Sequence, residues 1–217
     1  MRTLRSNSSG VALTEFALML PILIAATVTA VEVANYANAA MRASQIALSV
    51  SDNAGRIRDS IDEKDVDAIL IGAKLAGEGI QFGANGRVIL SMVETNGLTG
   101  AKAGQKITWQ RCFGQKNIVS SYGEEGAGAT DASYADGFGP EGQKIGASPN
   151  DGLMFVEVIY DYQPIFDVSN DLIADLAGKT LRYTAAFPVR EREDNAITNG
   201  FNLADAEKRL CSNFSAT

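Results

Sequence analysis

The chain contains no histidine. That absence removes the commonest general base and the commonest protein metal ligand, and with them the usual charge relays and zinc sites. Cysteine is scarce too: Cys112 and Cys211 are the two present, and their separation matches no metal-binding or redox spacing such as C-x-x-C. Positive charge is also in short supply. The formal net charge is -7 and the lysines and arginines form no cluster, which argues against a nucleic-acid partner. No G-x-S-x-G is present, and the neighbouring carboxylates Glu124 and Glu125 lie in glycine-rich sequence where solvation is the default.

Two near-motifs fail on inspection. Ala177 to Thr180 reads AGKT, the end of a phosphate-binding loop, but Ile173 stands where that loop needs glycine, and a short helix before a strand reverses the required order. Gly178 is better read as a helix C-cap turning into a strand. Asp131, Ser133 and Asp136-Gly137 invite a calcium reading, yet Ala135 and Asp136 occupy the places that need an oxygen ligand and a glycine. No metal, no cofactor and no catalytic site are expected.

What the chain does have is one long apolar block near its start. Phe16 to Val31 carries no charge, close to the ~20 apolar residues needed to cross a ~30 Å hydrocarbon core. Arg2 and Arg5 precede the block and the next basic residue is Arg42, so the positive-inside bias places the N-terminus in the cytoplasm and the remainder outside. The small residues Ala34 to Ala40 also suit ordinary signal cleavage after Ala37 or Ala39. Glu15 argues against that, because a carboxylate at the start of an insertion segment costs free energy. So does the apolar pattern beyond the block: Val33, Ala37, Ala40, Met41, Ala47, Leu48 and Val50 recur at helical spacings. A helix over residues 11–53 would be roughly 64 Å long at ~1.5 Å per residue. Pro21 lies inside it, where it can kink the helix and free a backbone carbonyl.

The N-terminal residues resemble the type IV pilin superfamily, and specifically the TadE/TadG-like minor pilins or pseudopilins of Tad (Flp-type) pili. The matching residues are Gly10, then Val11 to Glu15, Phe16 and the run from Ala17 to Pro21. The resemblance implies that a prepilin peptidase cuts between Gly10 and Val11, which makes Glu15 the fifth mature residue and Phe16 the sixth. It implies a non-catalytic structural subunit of the bacterial inner membrane, passing once through the lipid bilayer. Its partners would be major and minor pilins and the inner-membrane assembly machinery. Residues 1–10 would be a cytoplasmic leader, 11–53 the anchor and extended helix, and 54–217 a periplasmic domain. The rival expectation is a binding or scaffold protein, either secreted or left anchored and uncleaved.

For the soluble part an α+β domain with an antiparallel sheet is expected, a pilin-like arrangement behind a long transmembrane helix. Ser60 with Glu63 fits a capping box for a helix over 61–77. Strands are expected at Arg87–Glu94, Lys106–Phe113, Leu153–Tyr162 and Thr180–Val189, the last an edge strand because of Pro188. Residues 114–152 read as a long glycine-rich loop, either mobile and used for subunit contact or a tolerated insertion. In an exported domain Cys112 and Cys211 would form one structural disulfide holding the C-terminal tail; in the cytoplasm they would be two unrelated buried thiols.

Overall fold

A computed structural model describes residues 9–149, 151–166, 178–189 and 192–216. Alanine and leucine dominate the first fifty residues, and no glycine interrupts them between Val11 and Ala54. Both favour helix. Helix α1 accordingly runs Ser9–Arg56 with Pro21 in its interior. It is followed by strand β1 (Asp59–Asp62), helix α2 (Glu63–Gly77) and strands β2 (Gly86–Thr95), β3 (Gln105–Phe113), β4 (Leu153–Asp161), β5 (Thr180–Pro188) and β6 (Arg192–Thr198).

The fold is α+β. Its sheet has the order β3-β2-β4-β5, with every neighbouring pair antiparallel. Strand β5 is an edge, as Pro188 suggests. Strands β1 and β6 form a separate parallel pair. Alternation sets the two faces. Val88, Leu90, Met92, Val156, Val158 and Tyr160 point to the helices and share one core with Ala43, Ile46, Val50 and Ala54 of α1 and Val66 and Leu70 of α2. Small residues on α1 let the helix lie close to the sheet. Gly55 shows the limit: a Cβ there would sit 2.6 Å from Cδ1 of Phe187.

The other face of the sheet is covered rather than wet. Among its described residues the 114–152 segment holds no helix or strand apart from a single bridge between Phe138 and Ile145. It is nevertheless packed, with Phe138 and Ala147 forming a second core with Val93, Ile107, Leu153 and Phe155. Gly128 (φ 76°) allows the segment to close on β3, since a Cβ there would lie 2.1 Å from the Gln105 carbonyl oxygen. The loop thus serves as the sheet's lid, a role neither expectation included, because its buried aromatics are isolated among glycines. A disulfide joins Cys112 on β3 to Cys211 (Cα–Cα 4.8 Å), tying the C-terminal tail to the same face.

Two local expectations need correcting. The capping box of α2 is made by Asp62 and Asp65, because β1 extends through Asp62 and Glu63 is buried against Arg111. The buried face of α1 matches the expected stripe only in part: Ala47 and Val50 are buried, but Val33, Met41 and Leu48 are 52%, 58% and 59% exposed, and Ala39, Ala43, Ile46 and Ala54 take their place in the core. A sheet face already crowded with large side chains accepts alanine more readily than methionine. Residues 1–8 of the expected leader, the short helix expected before Gly178, and Arg190 lie outside the described residues.

Candidate functional site

Sequence points to the start of α1, where Gly10 and Glu15 are exposed and Val11 and Phe16 are each 58% exposed. The apolar run that follows is exposed as well, including Leu18, Met19, Ile22, Leu23 and Ile24. Its polar atoms are turned inward. The hydroxyl groups of Thr14, Thr27 and Thr29 donate to the carbonyls of Val11, Leu23 and Ala25 at 2.7–2.8 Å, so the side chains present apolar surface on all sides. Pro21 bears no N–H, which leaves the Ala17 carbonyl without its usual helical donor. This one helix is long and apolar enough to cross a membrane. An acidic residue is absent from its first turn, and Glu15 stands further along.

The apolar stretch ends at Glu32, whose side chain is fully buried. The Tyr162 hydroxyl donates to Glu32 Oε1, and the backbone N–H groups of Ile165 and Phe166 donate to Oε2 at 3.1 and 3.3 Å. Asn35, one turn on, donates from Nδ2 to the Tyr162 hydroxyl at 2.7 Å. The Tyr36 and Tyr162 rings meet edge to face at 5.1 Å. Burial, and then the hydrogen bond to Glu32, push the Tyr162 phenol well above its ordinary range, so it stays protonated and donates. The chain end of β4 is thereby locked onto α1 where the exposed helix begins.

A second fastening holds the far end. Arg192 donates from Nη2 to the carbonyls of Ala54 (2.9 Å) and Ile57 (3.0 Å). It places a cation on the carbonyl end of α1, where the helix dipole is negative. Burial lowers the Arg192 pKa, and the charge of Asp65 opposes that shift. Helix α2 is fixed by Glu63, which accepts from Arg111 Nε at 2.9 and 3.1 Å within the core. The soluble domain therefore holds α1 from Glu32 to its C-terminus, while residues 10–27 are exposed.

The structure places Gly10, Val11, Glu15 and Phe16, the residues of the expected processing motif, on one exposed helix. Cys112 and Cys211 meet on the opposite side of the sheet. Asp131 makes a local turn, its Oδ1 accepting from the Ser133 N–H at 2.8 Å. Sequence reasoning passed over Glu32, Asn35 and Tyr162, because their partners lie some 130 positions away in the chain. The one available hint was a carboxylate closing an apolar run.

No protein-family model matches the chain, and no curated protein or solved structure shows significant similarity to it.

Proposed function

We propose that the chain is a structural minor pilin or pseudopilin of a Tad-type pilus, anchored in the bacterial inner membrane by α1 and processed by a prepilin peptidase. The observation that carries this reading is the division of α1. Its first half is exposed and apolar behind Gly10, Val11, Glu15 and Phe16, and its second half is fastened to a folded domain through Glu32 and Arg192. One rigid element then joins the membrane to the domain.

Cutting between Gly10 and Val11 would place a new α-amine about 6 Å along the axis from Glu15. The carboxylate would then neutralise that amine or the equivalent one on a neighbouring subunit, and in lipid either pairing is favoured over two isolated charges. It would also move into the first turn, where the helix dipole favours negative charge. Packing of apolar helices would supply most of the association with major and minor pilins, with Glu15 setting register. The Cys112–Cys211 bond supports a periplasmic location for the domain.

The fastening at Glu32 weighs against ordinary signal cleavage after Ala37 or Ala39. That cut would remove Glu32, Asn35 and Tyr36 and leave Tyr162 buried without its acceptor. Glu15→Ala in the native host tests the assembly role. Loss of surface pili with unchanged membrane levels of the protein is expected; normal pili would contradict the reading.

A further inference from the structure

The apolar segment of α1 lies between two carboxylates, Glu15 and Glu32. They are about 25 Å apart along the axis at ~1.5 Å per residue, close to the ~30 Å thickness of a hydrocarbon core. Glu32 is the one held by the folded domain, so it marks the level at which a membrane-crossing α1 passes from lipid to domain.

Residues 163–166, which lead out of β4, are pinned at that same level. The Ile165 and Phe166 N–H groups donate to Glu32 Oε2, and Asn35 Nδ2 donates to the Gln163 carbonyl at 3.3 Å. Pro164 has no N–H to place. No backbone donor is therefore left over across 164–166, which is what contact with lipid demands of a non-helical segment. The side chains of this turn are not buried with its backbone: Ile165 is 58% and Phe166 36% exposed. Outside α1, and among the described residues, this is the one place where two large apolar side chains adjacent in the chain are both exposed. Val31 and Val33, which flank Glu32 on the helix, are exposed as well. The charged groups joined to this corner are answered inside the domain, Glu32 by its three donors and Asp161 by Lys116 and Thr180.

Large apolar side chains fixed in an exposed position cost free energy in water, and acyl chains remove that cost. We infer that Ile165 and Phe166 dip into the membrane interface beside α1, so that the domain rests on the bilayer at two points instead of standing on one helix. The occupant of this surface is lipid, at the boundary of headgroups and acyl chains, where apolar side chains insert by about 5–10 Å. The second contact sets the tilt of α1, because interfacial side chains fix the tilt of a spanning helix. The inference rests on α1 crossing a membrane and is independent of cleavage after Gly10 and of pilus assembly.

The test is quenching of one added tryptophan in the full chain, reconstituted in phosphatidylcholine nanodiscs whose lipids are brominated either near the top of the acyl chain or near its end. Trp109, the one native tryptophan, is buried in the domain and supplies the background. Ile22→Trp, in the middle of the apolar segment, reports on the anchor. Phe201→Trp reports on an exposed apolar side chain (61%) beside Lys64, at the end of the domain where α1 finishes. The tryptophans of Ile165→Trp and Phe166→Trp should each lose emission, more to bromine near the top of the chain than to bromine near its end. Ile22→Trp should show the opposite order and Phe201→Trp no loss. The two loop variants are separate reporters, so the test stands if one of them fails to fold. Quenching of Ile22→Trp with none at either loop position would overturn the inference, assign the patch to a protein neighbour and leave the anchor standing. Equal quenching of Phe201→Trp would overturn it too, and no quenching of Ile22→Trp would overturn the anchor along with it.

Discussion

Glu32 stands where a membrane-length apolar helix meets a folded domain, and its neighbours make it a fastening point. Removing the Tyr162 hydroxyl takes one of three donors from a fully buried carboxylate. Tyr162→Phe should therefore destabilise the domain by about 1–3 kcal/mol, read from urea unfolding in detergent micelles. Asp161 and Asp62 contribute on the acid side. Burial alone would raise the Asp161 pKa, but hydrogen bonds from Lys116 and Thr180 and the charges of Lys116 and Arg182 hold it below the usual carboxylate range. At Asp62 burial is likewise outweighed, by the N–H groups of Lys64 and Gly200 and the Thr198 hydroxyl. A folded pKa below the unfolded value of about 3.9 means that the stabilisation is fully present above that value and lost as pH falls through the folded pKa. Stability should thus fall as pH drops below about 4, and Asp161→Asn should flatten that fall in pH-dependent unfolding curves. Most of these partnerships were not legible in the sequence, because they join residues far apart in the chain; the Asp62–Lys64 contact is local but belongs to a cap shifted from the expected Ser60.

At the scale of elements, the four main strands were legible and matched to within a residue or so, since each carries a sustained apolar run or alternation between turn residues. Strands β1 and β6 were not. They are short, charged and paired in parallel across more than a hundred positions, so neither alternation nor a turn announces them. The buried face of α1 was read correctly at Ala47 and Val50 and missed at Val33, Met41 and Leu48, for a different reason. Its second half is apolar on more than one side, so hydrophobicity alone does not decide which side meets the sheet. The C-terminal tail depends on its covalent tie. Cys112 and Cys211 are separated by 99 positions, and closing a loop of that length restricts the unfolded chain by about 4–5 kcal/mol in the chain-entropy account. Reduction, or Cys112→Ser, should lower unfolding stability by up to that amount, seen as a drop in the denaturant midpoint with and without reductant.

For the whole molecule, the division of labour along α1 is the central feature. The domain holds the helix from Glu32 to Arg56 and leaves the preceding apolar stretch to another environment. The exposed side chains Val33, Met41 and Leu48 extend that apolar surface beyond the membrane-length segment. The overall plan, an apolar helix leading into an α+β domain, was legible because composition changes abruptly along the chain. The lid over the outer face was not, since its packing rests on a few aromatics spaced among glycines and on the disulfide beneath them.

The measurement that tests the account most directly is the N-terminus of the mature protein, determined by terminal sequencing and intact mass from the native host with and without its prepilin peptidase. A start at Val11 that depends on the peptidase is the predicted result. A start near Ala40, or an intact leader beginning at Met1 or Arg2 whether or not the peptidase is present, would contradict it.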